Sequence, residues 1–561
     1  MKRPLRHKRL VAAACVAVCL AASGRAVSAQ QVMSRTLLPD STIERVVDLY
    51  NREETTRLPG DSRLAAGTVV AGDAMSLNGE LTVAGNVEGD VVAINGDVHL
   101  LPTAVVVGSV TAIGGTVHID AGAKVGGTVT AYRESLRLRE DDGIIAYVPD
   151  EPGSGISAGY DFPFGRTDIL LTSDAYNRTE GLPISVGPRG EFGSSNPTRV
   201  RALVTYRTAN GITVDPDELG YFLGIEQFVA GSGRFSVLAT AFREIRPIED
   251  AGLRNREASL AAFVLHRDQR DHYARRGWSA GARFAHPGLP YDLTLEYRDE
   301  RNLSVAPAAP VSIIESDKDW RSQPLIAEGR LRSLTASFNY DSRNDVLDPA
   351  DGWLVRTMLE QGLDGTLATS PASGLSTGAL DHFSTARFDV RRYARLSPYS
   401  RLSLRALLSG SLDGGPLPAQ RQQALGGAGT LPGYGLFELD CGARDSTVVR
   451  GVTDFYPFYG CDRAALVQLE YQASFPFARK ISEKLKLGNF LTHSVRWAAF
   501  FDAGRAWTEQ EARGGRQAGG SSFSTDAGFG LRLGAVGFYY AIPLSDPGDK
   551  HRISIRLGPR L

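Results

Sequence analysis

Long hydrophobic runs are missing from this chain. After the first 30 of its 561 residues, no apolar stretch approaches the roughly 20 residues that a spanning helix needs. A polytopic helical membrane protein is therefore excluded. Cysteine is scarce, at 4 residues, which excludes a disulfide-dense small scaffold, and methionine is equally rare at 4. No excess of positive charge exists, with 62 Lys/Arg against 63 Asp/Glu, and no basic patch marks a nucleic-acid surface. Glycine is abundant at 61, yet far below the roughly one residue in three of a collagen. The 42% hydrophobic content and a mean hydropathy of -0.15 describe, on average, a large water-soluble protein.

The first 29 residues read as a secretory signal. Lys2, Arg3, Arg6, Lys8 and Arg9 form a cationic head, residues 10–22 a short apolar core, and Val27-Ser28-Ala29 a small-residue cleavage site. Its removal takes six Lys/Arg and no acid, leaving a net charge of -7. It also removes Cys15 and Cys19. Cys441 and Cys461 remain, an even pair in an exported chain, and a disulfide between them is predicted, two free thiols being the alternative.

Residues 30–63 are polar and charged, with one amphipathic helix expected over 41–57. Residues 64–131 contain an internal repeat. Gly72-Asp73, Gly89-Asp90, Gly108-Ser109 and Gly127-Thr128 open similar phrases, spaced 17, 19 and 19 residues apart. Each phrase holds two short β-rich runs and glycine corners, the pattern of a β-solenoid. The repeat resembles the bactofilin family of polymer-forming β-helices. Residues 132–174 read as a linker. The string Gly155-Ile156-Ser157-Ala158-Gly159 matches a hydrolase nucleophile motif but lacks the strand-turn-helix elbow that chemistry needs, and it is read as loop.

From 175 to 561 the chain is a long series of period-2 segments. Ala465, Val467, Leu469, Tyr471 and Ala473 alternate with Gln468, Glu470, Gln472 and Ser474. Leu402, Leu404 and Leu408 alternate with Arg401, Ser403 and Arg405. One face is apolar and the other charged, as in a transmembrane strand with lipid outside and a wet lumen inside. Sixteen candidate strands follow, one of them at 257–266. Most have about the 9–11 residues that a tilted strand needs to cross a bilayer. The fold expected is all-β: a 16-stranded antiparallel transmembrane β-barrel preceded by a short β-solenoid.

Several phrases give this region its likeness. Tyr176-Asn177-Arg178-Thr179-Glu180-Gly181 lies near its start. Asp341-Ser342-Arg343-Asn344-Asp345, Pro349 and Gly352-Trp353 mark a middle turn. Leu425-Gly426-Gly427-Ala428-Gly429-Thr430-Leu431-Pro432-Gly433-Tyr434 lies in the longest gap. Phe500, Asp502 and Gly504 form F-x-D-x-G, and Gly528, Gly530 and Arg532 form G-x-G-x-R. In this order the phrases resemble the BamA/TamA-type superfamily of outer-membrane barrels, the bacterial surface antigen family.

The resemblance implies a non-enzymatic role, with no cofactor and no metal: assisting insertion or translocation of protein or lipid at the bacterial outer membrane, through first and last strands that part. It implies outer-membrane lipid, the assembly machinery that inserts the barrel, and an unfolded protein or lipid client as partners. The N-terminal domain would lie in the periplasm. Leu431, Pro432, Gly433 and Tyr434 would form a loop tip inside the lumen. Asp502, Gly504, Gly528, Gly530 and Arg532 would face it from the wall. In family members a loop-tip arginine meets the wall carboxylate; Pro432 stands at that position here, and Arg532 is the expected substitute partner of Asp502. Ile553, Ile555, Leu557 and Leu561 would form the lipid-facing side of a C-terminal assembly strand. The family's βααββ periplasmic units are not visible in the sequence. A structural role is thus the competing expectation, the barrel anchoring a solenoid that self-associates or binds the cell wall. The acidic turn around Asp341, Asp345, Asp348 and Asp351 lacks calcium-loop spacing and is read as turn chemistry.

Overall fold

The computed structural model describes residues 33–561, apart from 36–39, 148–155, 286–290, 369–379, 442–454, 476–494, 509–521, 546–550 and shorter gaps. The signal segment lies outside the described residues.

The solenoid is built from three parallel sheets. One runs in the order 33–35, 129–132, 110–113, 91–94, 74–77, 56–59. The 19-residue step keeps equivalent side chains stacked, so that Val91 pairs with Val110 and Val110 with Val129. Val91, Val98, Leu100, Val110 and Ala112 point inward with no exposed surface. Each such aliphatic side chain contributes roughly 1.5–3 kcal/mol of burial. Polar corners stack too. Asp73 Oδ1 accepts the Asp90 N–H at 2.7 Å, Asp90 Oδ1 the Ser109 N–H at 2.7 Å, and Asp97 Oδ1 the Thr116 N–H at 2.8 Å. Asn78 and Asn95 turn neighbouring corners at φ 57° and 55°, a region that Asn tolerates better than most residues.

Helix α1 (Asp40–Asn51) is shorter than the sequence suggests. The chain leaves it to form the first solenoid rung at Thr56–Pro59. Ile43, Val46, Leu49 and Tyr50 cover Met75, Val92, Ile94 and Ile113, the outward side of the largest solenoid sheet.

The barrel is one antiparallel sheet of seventeen strands. They are β1 (Ile156–Phe162), β2 (Gly165–Ser173), β3 (Pro183–Phe192), β4 (Thr198–Arg207), β5 (Gly220–Val229) and β6 (Phe235–Pro247). Next come β7 (His272–Ala285), β8 (Tyr291–Ser304), β9 (Gly329–Asp341), β10 (Gly352–Gly365), β11 (Ser384–Ser397) and β12 (Ser400–Ser411). The series ends with β13 (Arg463–Ser474), β14 (Val495–Trp507), β15 (Ser524–Leu533), β16 (Val536–Pro543) and β17 (Arg552–Leu557). From β2 onward there are sixteen, and β1 adds a short strand at the edge.

The alternation is that of a membrane barrel. Ile225, Leu295, Val467 and Phe529 are exposed, the last at 65%, while Glu300, Glu360, Gln468, Glu470 and Asp502 are buried. A soluble protein shows the reverse. No described helix is long and apolar enough to cross a membrane.

Two expectations change. Residues 257–266 form no strand; helix α2 (Asn255–Leu265) takes their place. Ala258, Ala261 and Ala262 favour helix, and the Glu257 side chain caps the first turn by accepting the Arg254 N–H at 3.1 Å. The stretch 132–174 is not simply a linker, because β1 and β2 belong to the barrel sheet and 138–141 pairs with 144–147. Residues 156–159 of the hydrolase-like string lie in β1, where small residues hide the alternation.

Candidate functional site

The loop between β12 and β13 is folded against the inner wall. Its arms pair with each other: Gln423 and Cys461 exchange backbone bonds of 2.9 and 2.7 Å, and Leu425 and Leu439 exchange two of 3.0 Å. Cys441 and Cys461 form the expected disulfide, with Cα atoms 5.0 Å apart. Arg421 reaches the wall from the first arm, donating to Glu360 at 2.6 and 3.0 Å and to Glu300 at 3.1 Å.

The tip turns through Gly426 and Gly427, at φ 114° and 90°, a region that glycine enters without steric cost. The Gly426 N–H is given to Thr430 Oγ1 at 2.9 Å. Leu431 is fully buried in a cluster with Leu407, Leu425, Leu466 and Ala506. Polar contacts fix the tip to the wall. Gln468 Nε2 donates to the Thr430 carbonyl at 2.7 Å. The Gly433 N–H meets Asp526 Oδ2 at 2.6 Å, and the Tyr434 hydroxyl reaches the Thr525 carbonyl at 3.1 Å. Space at the wall is tight. A Cβ on Gly504 would lie 2.8 Å from Leu431 Cδ1, and one on Gly433 2.8 Å from Asp526 Cβ.

Of the tip residues, Leu431 lies against Gly504, while the nearest neighbours of the other two wall glycines belong to the wall. A Cβ on Gly528 would strike the Tyr540 carbonyl and the Phe500 ring, and one on Gly530 the Tyr539 ring. Those positions accommodate aromatic side chains of the wall itself.

Asp502 has a different partner from the one expected. Arg532 Nη1 bonds Asp348 Oδ1 at 2.7 Å, which takes it away from Asp502. The cation at Asp502 is Arg560. Its guanidinium donates to Asp502 Oδ2 at 2.6 Å, Asp502 Oδ1 at 3.1 Å and Glu470 Oε2 at 2.8 Å, and lies 4.3 Å from the Phe500 ring centre. All three charged side chains are at most 1% exposed. Strand β17 stops at Leu557 because Gly558, at φ 93°, turns the chain and Pro559 lacks the N–H of a ladder residue. Ile553 and Ile555 are exposed. Leu561 instead leaves the strand and is buried.

Asp348, in the turn between β9 and β10, forms a second charge cluster. It contacts Arg401 at 2.6 Å, Arg532 at 2.7 Å and Arg496 at 3.5 Å. Burial acts to raise its carboxyl pKa, but the three guanidiniums outweigh burial and hold it well below the usual carboxylate range. This explains part of the acidic turn: the carboxylate neutralises arginines converging from three strands. A third cluster joins Arg178, which is fully buried, to Asp268 at 3.0 Å and Asp271 at 2.6 Å. Its phrase, residues 176–181, forms the turn between β2 and β3.

The sheet has two free margins. Its order runs from β1 to β17, and among the described residues no ladder joins those ends. Glu470, Asp526, Arg560, Glu257 and Arg556 were not singled out by the sequence reading. Glu470 and Arg560 were visible only as members of polar faces, with nothing to mark them as partners.

Fold and site together define an antiparallel membrane β-barrel with a long loop bonded to its inner wall. Residues 254–560, more than half of the chain, match the Omp85 superfamily domain, and the chain belongs to that superfamily. Among solved structures it is similar to BamA from Haemophilus ducreyi lacking POTRA domains 1-3, at 16% identity and a TM-score of 0.42, over 75% of this chain and 74% of that one. It is also similar to CdiB from Escherichia coli, at 12% identity and TM-score 0.33 over 75% and 66% of the two chains. CdiB from Acinetobacter baumannii follows at 10% and 0.31, over 76% and 65%. No curated protein matches.

Proposed function

We propose that this barrel assists insertion or translocation of a protein or lipid at the outer membrane, by parting β1 and β17 toward the bilayer. The carrying observation is that, among the described residues, no ladder joins the two ends of a sheet whose strands are otherwise hydrogen-bonded in order. A free strand edge offers backbone donors and acceptors on which a client strand can form. In this reading the solenoid lies in the periplasm, and lipid and the outer-membrane assembly machinery are the remaining partners. Depletion tests it. Loss of the protein is expected to change the outer-membrane proteome or lipid asymmetry, and an unchanged composition would refute the reading.

A second reading is favoured by one feature of the solenoid. Strand 33–35 covers the end of only one sheet, and among the described residues the sheets ending at 117–119 and 124–125 have no strand beyond them. Those edges could stack on a second copy or meet the wall, with the barrel as anchor. Altered envelope shape with unchanged membrane composition after depletion would select this alternative.

A further inference from the structure

Helix α2 touches the last strand, β17, and the turn after β2, the strand paired with β1 at the other margin. On one side Asn255 Nδ2 donates to Asp174 Oδ1 at 2.9 Å, and the Tyr176 N–H reaches Ser259 Oγ at 2.9 Å. Asp174 and Tyr176 lie in the turn that leaves β2. The Tyr176 ring also packs edge-on to Phe263, with centroids 5.2 Å apart. On the other side Glu257 holds the end of β17. Its carboxylate accepts from Arg556 Nε at 2.8 Å, Arg556 Nη2 at 3.2 Å and the Leu557 N–H at 2.6 Å. Arg556 Nη1 in turn donates to the Ala428 carbonyl of the loop tip at 2.8 Å.

The Glu257 and Arg556 side chains are each 3% exposed. Removing either leaves a buried charge unpaired, a strongly unfavourable state. The Leu557 N–H belongs to the last strand of the sheet, so Glu257 supplies an acceptor where no further strand does.

We propose that α2 is a latch across the seam, in which Glu257 positions the last strand through Arg556 and the Leu557 N–H while Asn255 and Ser259 hold the turn after β2, the strand that carries β1. Opening the sheet requires this contact to break. Because Arg556 also holds Ala428, release of the strand and release of the loop tip are coupled. The latch rests on the reading that the seam opens.

The full chain in planar lipid bilayers tests it without any client. Glu257→Ala is expected to raise the open fraction, read as conductance, by about tenfold while the heat-modified gel shift of a folded barrel persists. The double variant Glu257→Arg with Arg556→Glu should recover most of that difference, since it restores the pair but not the bond to the Leu557 N–H. Asn255→Ala, which removes the Asp174 bond and the bond from Arg270 but leaves the Glu257–Arg556 pair, should raise conductance less. A folded Glu257→Ala barrel with unchanged conductance overturns the latch, and so does a double variant as leaky as the single ones. If Glu257→Ala yields no folded band, recovery of that band in the double variant supports the pairing and its absence refutes it. Depletion without effect on the membrane would remove the proposed function yet leave the bilayer result standing.

Discussion

Arg560 carries the strongest argument at the scale of single residues. It is fully surrounded, bonded to two carboxylates and stacked on Phe500, while Pro432 occupies the loop position at which family likeness implies an arginine. The wall carboxylate has kept its cation, but the cation arrives from the residues after β17. Loop and last strand are therefore anchored to neighbouring wall acids, Asp526 for Gly433 and Asp502 for Arg560. Arg560→Ala should cost about 3–5 kcal/mol, the usual range for breaking a buried pair by removing one partner. Asp502→Ala should cost a similar amount, and the two together less than their sum. Urea titration followed by the heat-modified gel shift measures this; unchanged midpoints in both single variants would show that the pair does not hold the barrel. Sequence reading identified Asp502 but not its partner. Arg532 and Arg560 sit on similar polar faces, and only the turn at Gly558 decides which arginine reaches the acid.

Single elements show where alternation works as a guide and where it fails. Fifteen of the expected strands coincide with strands of the sheet, because each must present apolar atoms to lipid and polar atoms to the lumen, a constraint written locally every second residue. Helix α2 escaped that logic because it packs against β17 and the turn after β2 and does not lie within the ladder. Strand β1 escaped because glycine and serine carry no face preference. The solenoid was legible through its period, but its corners were not. Asn95 turns one at φ 55°, and its side chain bonds both the Leu136 carbonyl at 2.7 Å and the Leu136 N–H at 2.8 Å. Asn95→Gly keeps the backbone geometry and loses those bonds; Asn95→Ala loses both. The expected order of solenoid stability is wild type, then Gly, then Ala, with a separation of about 1 kcal/mol at each step. Denaturant midpoints followed by circular dichroism test the order, and an alanine variant as stable as glycine would show that the corner conformation is unstrained.

Whole-chain averages suggested a soluble protein because both halves of the molecule conceal their apolar surface from a composition count. In the barrel, outward apolar side chains are balanced by buried lumen charges; in the solenoid, small aliphatic residues are interleaved with polar corners. The two halves keep separate interiors. The clusters that fill the solenoid contain residues from Ile43 to Ile145, and those of the barrel contain residues from Ile248 to Ala541, with no member in common. A polar contact between them, Glu80 to Arg395, spans 3.9 Å with both side chains about one-third exposed. Such a pair contributes roughly 0–1 kcal/mol. The halves should therefore unfold separately. Rising urea should abolish solenoid ellipticity while the folded barrel band persists, since barrel hydrogen bonds sit in lipid where water cannot replace them. Arg395→Ala should shift neither midpoint measurably. One cooperative transition, or an Arg395→Ala variant that destabilises both halves, would mean that the solenoid and barrel share a core, and the solenoid would then have to move whenever the seam opens.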